Sequence, residues 1–249
     1  MGGYRYSGDT SSEFTPEKHK LVMGCFNVQK IPYLFPEAIA KLKHLRYLNM
    51  SYSAIESLPK SVGFLLNLKF LILRHCYRLR KLPNRMGKLK NLQMLGKYIV
   101  GEGIGYGISE LSGLDLLGEL SIEDLHKVTD AKDVEKMNIG SKKSLHSLHL
   151  SWEKVPESGT GSEMRSQMME RVFDGLRPSE NLKILSLSLY QGSQLPEWMS
   201  RSHQKLTKIT LENVDNCESL PCLWKLPFLE DLVIRGIKRW SASSRLIMM

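Results

Sequence analysis

Apolar residues recur along the chain in short strings that share one spacing. Each string starts with leucine and places Leu or Ile three positions later and Leu, Met or Ile five positions later. Because alternate residues of an extended chain point to opposite faces, the fourth and sixth positions of such a string share one face. The pattern predicts short strands with one buried face, starting at Leu45, Leu68, Leu92, Leu117, Leu145, Leu182, Leu206 and Leu229.

The distances between these leucines are nearly constant. Successive first leucines lie 23, 24, 25, 28, 37, 24 and 23 residues apart, and the string at Leu92 is incomplete because Gly96 and Lys97 interrupt it. A period of about 20–29 residues is typical of leucine-rich repeats, whereas a coiled coil repeats its apolar seam every heptad. The sequence predicts an α/β leucine-rich repeat solenoid, a horseshoe with a parallel concave sheet and short convex helices or irregular links.

The links between the first strands carry a second signal in register with the leucines. Proline ends the preceding element, and apolar pairs spaced by three, such as Val62 with Leu65, are typical of a short helix. We therefore expect convex helices in these links. An apolar residue followed by proline stands ten residues before the next first leucine in FPEAIAKLKHL (35–45), LPKSVGFLLNL (58–68) and LPNRMGKLKNL (82–92).

Departures from the period divide the chain into five parts. After a polar insertion at residues 153–166, apolar residues at four-residue intervals predict a helix that ends before Pro178. They are Met168, Val172 and Leu176. The expected parts are a poorly matched segment 1–30 that is disordered or a degenerate repeat, basic regular repeats at 31–98, a glycine-rich link and helix at 99–116, irregular repeats at 117–240 with a polar insertion at 153–166, and a tail at 241–249.

Charge is unevenly distributed along the chain. The net charge is +9, yet residues 1–100 hold 17 Lys and Arg against 5 Asp and Glu. The densest basic stretch would attract acidic protein surfaces, phosphoinositides or nucleic acid through its long-range field, or it is a solvated face. Nucleic acid is disfavoured because no aromatic residues interleave at a base-stacking spacing. The stretch comprises Arg74, Arg78, Arg80, Lys81, Arg85, Lys88 and Lys90.

Composition disfavours secreted and membrane-spanning classes. Four cysteines, Cys25, Cys76, Cys217 and Cys222, form no C-x-x-C pair, which argues against a disulfide framework or a zinc site and for a reducing compartment. No run reaches the roughly 18 apolar residues of a membrane span, and the N-terminus has no apolar secretory core. We expect a cytoplasmic protein without a transmembrane segment, with the nucleus as a second compartment.

The stretch IVGEGIGYGISELSGL, residues 99–114, places glycine at four alternate positions. A P-loop requires G-x-x-x-x-G-K-[ST] and a dinucleotide site requires G-x-G-x-x-G, and the spacing here fits neither. We interpret the stretch as a flexible link between two sets of repeats. The segment ISELSGLDLL is expected to be the convex helix that restarts the array.

The spacing of residues also argues against a catalytic site and a metal site. His146 and His149 lie three apart on a predicted strand and so face opposite sides, and no G-x-S-x-G elbow is present. Cys76 stands where this repeat takes Asn or Cys to satisfy backbone groups at the turn. We therefore expect no enzyme, no cofactor, no metal site and no small-molecule substrate.

The remaining candidate surface is the concave face of the sheet. Aromatic residues and arginine anchor protein contacts most often, and the first two regular strands supply both at positions that point away from the core. These residues form a protein-binding cluster or, alternatively, are solvated strand residues without a binding role. The candidates are Tyr47, Asn49, Tyr52, Phe70, Arg74 and His75.

These links and the irregular centre of the chain resemble one known family. The I-x-x-L-P links in AIESLPKSVGFLLNL and RLRKLPNRMGKLKNL look like the leucine-rich repeats of plant intracellular nucleotide-binding immune receptors of the coiled-coil class. The stretches 100–153 and 172–199 resemble the irregular repeat block of those receptors, so the likeness covers about residues 31–240. The coiled-coil and nucleotide-binding domains have no counterpart here, so ATP/ADP switching is not carried over.

The resemblance implies a protein-recognition module in plant defence that senses an effector and restrains the receptor's nucleotide switch. Expected partners are a pathogen effector, a host guardee or the missing switch domain. Two alternatives stay open: a substrate adaptor of a ubiquitin ligase, whose leucine repeats also carry cysteine at the turn, and a non-functional receptor fragment with uncapped ends. The adaptor is disfavoured because residues 1–27 show no F-box-like helical segment.

Overall fold

The structure, a computed structural model, describes residues 22–24, 38–39, 41–153, 162–201, 205–217 and 219–236. Its strands are β1 (Val22–Gly24), β2 (Tyr47–Asn49), β3 (Phe70–Ile72), β4 (Met94–Leu95), β5 (Lys97–Ile99), β6 (Gly118–Glu123), β7 (Leu145–Ser151), β8 (Ile184–Ser188), β9 (Lys208–Glu212) and β10 (Asp231–Arg235). The helices are α1 (Ala131–Met137), α2 (Ser162–Gly175) and α3 (Trp198–Arg201). Further 3₁₀ turns lie at Lys60–Phe64, Met86–Lys88, Ile108–Leu111, Leu125–Lys127, Ile139–Ser141 and Leu223–Lys225.

Every strand pair in the described residues is parallel, and neighbours in the sheet are neighbours in the chain. Strands β1 to β4 form one sheet, and β5 to β10 form a second. Equivalent residues pair one repeat apart, for example Tyr47 with Phe70 and Phe70 with Met94. Each strand adds to the edge left by the previous one, so successive repeats stack side by side as the coils of a solenoid. The predicted leucine-rich repeat solenoid is confirmed.

The boundary between the two sheets lies at Gly96. Strand β4 pairs with β3, whereas β5, which follows after one glycine, pairs with β6. The backbone bridges the step, because Ser121 N donates to Gly96 O at 3.0 Å and Leu117 N donates to Gln93 O at 2.8 Å. The interrupted string at Leu92 is therefore one repeat that divides its hydrogen bonds between its two neighbours.

The convex links are tighter than the sequence predicts. The expected helices of the second and third links are 3₁₀ turns, such as Lys60–Phe64, which starts after Pro59 and buries Val62. The helix expected at ISELSGLDLL is wrong beyond Ile108–Leu111, because Gly113 takes a φ of +68° that a helix cannot continue. A link of this length spans the convex side only once, so one tight turn is sufficient.

The polar insertion is the longest departure from the period. Residues 154–161 lie outside the described part of the chain, but Ser162–Ser166 begin α2, so the last five residues of the predicted loop are helical. Helix α2 buries Val172 and Leu176 as predicted, whereas Met168 is only partly buried. Sequence spacing missed Phe173, which is fully buried beside Val172.

Four aromatic side chains attach α2 to the sheet. The Phe173 ring lies 5.7 Å from Trp152, 5.3 Å from Tyr190 and 5.4 Å from Trp198, each pair edge to face. Trp152 and Tyr190 also contact each other, with centroids 5.0 Å apart. Edge-to-face pairs place the positive ring edge against the negative face, so the cluster adds directional attraction to apolar burial. Helix α2 is thereby part of the core.

The glycine-rich link is held by hydrogen bonds. Tyr98 Oη donates to Gly107 O at 2.7 Å, and Gly101 N donates to Tyr106 O at 2.9 Å. Burial raises the pKa of Tyr98, so the phenol stays protonated as a donor. Gly103 and Gly105 have φ of +88° and +84°, a region that glycine enters without steric penalty. The glycines serve a compact, hydrogen-bonded turn.

A buried lysine anchors the next turn of the same link. Lys142 is 3% exposed and stands three residues before Leu145, a position at which the preceding repeat carries Leu114. Its ammonium donates to Leu111 O at 3.0 Å and Leu114 O at 2.7 Å, carbonyls that terminate the turn of the preceding repeat. Desolvation by burial lowers the pKa of Lys142. The lysine therefore replaces apolar contact with two directed bonds between repeats.

The structural role predicted for Cys76 is confirmed. Its thiol is buried and donates to Met50 O, one repeat earlier, at 3.0 Å. Burial raises the pKa of the thiol, so Cys76 stays protonated and able to donate. The side chain thus satisfies a carbonyl where the first regular strand turns away from the sheet.

Candidate protein-binding surface

The backbone at the end of the strands fixes the direction of the candidate side chains. The residue seven positions after the first leucine has positive φ in six repeats. For residues other than glycine, this left-handed conformation is uncommon and is retained where the surrounding structure requires it. The residues of this row are Tyr52, His75, Asp124, Leu189, Asn213 and Gly236.

Tyr52 and His75 form an exposed aromatic stack with a residue that the sequence reasoning missed. Their ring centroids lie 4.5 Å apart with planes 21° from parallel. His75 also contacts Tyr77, with centroids 5.6 Å apart and Nδ1 lying 2.6 Å from the Tyr77 hydroxyl oxygen. Tyr52 and Tyr77 remain 60% and 76% exposed. We call Tyr52, His75 and Tyr77 the aromatic row.

Basic side chains flank the aromatic row, and each contacts an acid of another repeat. Arg74 Nη2 lies 3.6 Å from Glu119 Oε2, and Arg78 Nη2 donates to Glu56 Oε1 at 3.0 Å. All four side chains are exposed to solvent, where ion pairs contribute about 0–1 kcal/mol. Both arginines can therefore exchange these weak pairs for acidic groups of a partner.

The other three candidates are engaged within the sheet. Phe70 is on the predicted face but only 6% exposed, because Tyr47 and Met94 flank it on the adjacent strands. The expectation that Phe70 is available to a partner is therefore wrong. Asn49 Oδ1 accepts bonds from Ser51 N and Ser51 Oγ at 3.0 and 2.7 Å, which fixes the strand end. Tyr47 is half-buried, with its ring centroid 6.1 Å from Phe70.

The centre of the same face is polar and closed by internal contacts. Lys97 Nζ lies 2.8 Å from Glu123 Oε1, and both side chains are largely shielded. On the next strand, His149 Nε2 lies 3.4 Å from Ser188 Oγ. Burial lowers the pKa of His149, and Lys97 acts in the same direction, while Glu123 and Glu212 oppose the shift. This region holds the strands together and offers few free groups.

The lowered pKa of His149 predicts a stability that depends on pH. The folded protein binds this proton more weakly than the unfolded chain, so the free energy of unfolding decreases as the pH falls below the ordinary histidine value of 6.5. His149→Gln retains a polar partner for Ser188 and should reduce this pH dependence. Urea denaturation of both proteins at about pH 7.5 and 5.5 tests the effect. An equal change in the free energy of unfolding between the two pH values in both proteins would contradict the prediction.

The described residues show neither a metal-ligand cluster nor a membrane-spanning helix. No group of three or more His, Cys, Asp or Glu side chains there is arranged to hold a metal ion. None of the helices in that part of the chain is long and apolar enough to span a membrane.

A parallel solenoid with leucine-lined coils and an exposed face at the strand ends defines the class of leucine-rich repeat domains. The model of the R13L1/DRL21 leucine-rich repeats matches residues 108–237, which is more than half of the chain. The chain belongs to this family.

Plant disease resistance proteins are among its relatives. RGA1 of Solanum bulbocastanum is 33% identical over 245 residues, covering 79% of this chain and 24% of its own length. RGA2 of the same species is 36% identical over 147 residues, covering 59% and 15%. RPP13-like protein 1 of Arabidopsis thaliana is 32% identical over 254 residues, covering 91% and 24%. The chain thus spans about a quarter or less of the length of these relatives.

A solved structure also shows the fold. A leucine-rich repeat protein of Leptospira interrogans aligns with a TM-score of 0.55 at 24% identity, covering 89% of this chain and 50% of that one. At this identity the likeness concerns the solenoid alone. The predicted fold and the resemblance to plant disease resistance proteins are both confirmed.

Proposed function

We propose that this domain is a non-enzymatic recognition module in plant defence that binds a protein through the aromatic row and Arg74. The observation that carries the proposal is the contact of Tyr52, His75 and Tyr77 at the end of two adjacent strands, with Tyr52 stacked on His75, Tyr77 tilted against it and the two tyrosines largely exposed. Relatives of the chain are disease resistance proteins, which supports a role in plant defence.

Physical chemistry favours a protein as the ligand of this surface. Tyrosine and arginine are enriched among residues that dominate protein interfaces, because they offer large rigid area and several donors. Positive φ at Tyr52 and His75 fixes the side-chain direction before binding, so little conformational entropy is lost on association. A small-molecule site would instead be a deep concave pocket, whereas the aromatic row projects outward.

Three partner types fit the proposed role. The aromatic row would contact a pathogen effector, a modified host target, or the switch domain of a longer receptor whose activity the repeats restrain. The last contact would make the domain autoinhibitory as well as sensory. We further propose a cytoplasmic location, with the nucleus as a second site, as expected for partners of this kind.

The proposal predicts a loss of partner affinity when the aromatic row is truncated. Tyr52→Ala/Tyr77→Ala should weaken binding of a recovered partner at least about tenfold, because hot-spot residues contribute more than about 1.4 kcal/mol. Affinity purification from plant tissue identifies proteins held by the wild-type chain. Titration calorimetry with each purified candidate then gives the dissociation constants.

The matched control is Trp224→Ala, which removes an exposed aromatic side chain outside the aromatic row. It should leave the dissociation constant unchanged. Retention of every wild-type partner at unchanged affinity by the double variant would contradict the proposal. Recovery of ubiquitin-ligase subunits that depend on the aromatic row would support the adaptor alternative instead.

A further inference from the structure

The turns that precede β2, β3 and β4 stack into a second surface, at the opposite end of the strands from the aromatic row. Asn67 Nδ2 donates to Lys43 O at 2.8 Å, and Asn91 Nδ2 donates to Leu66 O at 2.9 Å. The same bond thus recurs between successive repeats. Side chains at the same position of the three turns therefore form rows at the spacing of neighbouring strands, about 4.8 Å.

Two of these rows have lysine at both ends and an apolar residue in the middle. Phe64 and Leu66 are 55% and 56% exposed, although side chains of their type are normally buried. The four lysines around them are also exposed. We call this surface the lysine frame, and its rows are Lys41, Phe64 and Lys88, and Lys43, Leu66 and Lys90.

Few acids lie near the lysine frame to weaken its electrostatic field. From Ser57 to Gly101 the sequence contains no Asp or Glu. Arg74, Arg78 and Lys97 of this stretch pair with glutamates elsewhere, but no lysine of the frame forms an ion pair with an acid that the structure describes. Glu110 Oε2 accepts a hydrogen bond from Gly87 N at 2.8 Å, beside Lys88, and Asp115 lies one repeat beyond Lys90. These acids offset only part of the charge of the four lysines and Arg85.

The apolar part of the surface continues onto the glycine-rich link. The Arg85 guanidinium carbon lies 5.1 Å from the Phe64 ring centroid, which places a further positive charge over the ring face. A Cβ on Gly105 would stand 3.2 Å from Asn84 Cβ, so the link lies against the segment that carries Arg85. Ile104, the residue before Gly105, is 99% exposed. Phe64, Leu66 and Ile104 thus project outward beside basic side chains.

We propose that the lysine frame docks on the surface of an anionic lipid bilayer. Its lysines would lie against lipid phosphates and carboxylates, while Phe64 and Leu66 enter the interfacial layer. Lysine is depleted at protein–protein interfaces, where arginine is preferred, and is effective as a point charge towards a diffuse anionic surface. The apolar residues protrude singly, which suits a deformable bilayer better than a complementary protein pocket.

The two surfaces lie at opposite ends of the strands, so this proposal goes beyond the protein recognition described above and does not depend on it. A domain docked through the lysine frame would keep the aromatic row open to its partner. Membrane docking would then concentrate the recognition surface at a bilayer.

Cosedimentation with vesicles tests the proposal. The chain should bind vesicles of phosphatidylcholine with about 30% phosphatidylserine, and not pure phosphatidylcholine, with binding that weakens as salt is raised. Lys88→Glu/Lys90→Glu should lower the partition coefficient at least about 25-fold, because each lysine near such a surface contributes about fivefold. Phe64→Ser/Leu66→Ser should lower the binding that persists at high salt by about tenfold or more.

Matched variants distinguish the effect of this local surface on vesicle binding from the effect of net charge. Lys132→Glu/Lys225→Glu makes the same change of charge at exposed positions outside the lysine frame and should retain most vesicle binding. Tyr52→Ala/Tyr77→Ala should bind vesicles as the wild type does. Circular dichroism verifies that each variant is folded.

Three results would overturn the proposal. These are equal binding to neutral vesicles, equal loss of binding in the two charge-reversal pairs, and complete displacement from vesicles by double-stranded DNA or polyglutamate at matched charge concentration. The last result would assign the surface to a soluble polyanion.

Discussion

Phe173→Ala is expected to lower the free energy of unfolding by about 3–5 kcal/mol, the range for removing a buried aromatic side chain from a core. Phe173 is fully buried and contacts Trp152, Tyr190 and Trp198 edge to face. Its removal leaves a cavity where the inserted helix α2 meets the sheet, and it eliminates three aromatic contacts at once. We expect α2 to detach from the sheet at a lower urea concentration than the rest of the solenoid unfolds.

The measurement is urea denaturation followed by circular dichroism, combined with hydrogen exchange of the α2 amides. Met164→Ala on the same helix is the matched control, because Met164 is 77% exposed and surface substitutions change stability by no more than about 0.5 kcal/mol. Equal stability of Phe173→Ala and Met164→Ala would show that α2 is not part of the core.

Lys142→Met is expected to lower the free energy of unfolding by about 2–4 kcal/mol. Methionine has a similar length but cannot donate, so Leu114 O loses its ammonium donor, while Leu111 O keeps the longer bond from Leu114 N at 3.4 Å. Hydrogen bonds to charged groups contribute about 1.5–3 kcal/mol, and a buried carbonyl left unpaired is penalised by about 1–3 kcal/mol. Removal of the buried charge offsets part of this loss, which keeps the net effect below the sum of the terms.

The adjacent residue provides the control for Lys142→Met. Lys143 is exposed and is bonded through its backbone, which Met retains: its N donates to Ser141 O at 3.0 Å, and its carbonyl accepts from Asn181 Nδ2 at 2.9 Å. Lys143→Met should therefore change stability by no more than about 0.5 kcal/mol. Hydrogen exchange should report faster opening of Ile108–Leu111 in the Lys142 variant. An unchanged stability of Lys142→Met would mean that the two carbonyls find water or other donors without a penalty.

The period of the leucines was sufficient to predict the coil and most of its core. Leu48, Leu71 and Leu185 are fully buried at the positions that strand alternation assigns to the core. This succeeds because each coil must bury one apolar face against its neighbours. The same logic could not predict Lys142, since its role depends on the distance from its ammonium to carbonyls about thirty residues earlier.

The candidate site was predictable only in part. Strand alternation correctly assigned Phe70 to the face opposite the core, but exposure also depends on neighbours, and Tyr47 and Met94 cover it. Tyr77 lies beyond the strand, in a turn whose course no period describes. An aromatic residue two positions after His75 was nevertheless a visible signal, because the turn at positive φ brings the two rings together.

Site-specific photocrosslinking tests the central claim of protein recognition most directly. A benzophenone side chain placed at position 77 should form an adduct with the partner recovered by affinity purification, because Tyr77 is the most exposed member of the aromatic row. The same group at position 164, on the exposed side of α2, should form none. Adducts with that partner at position 164 and their absence at position 77 would contradict the assignment of the aromatic row as the recognition surface.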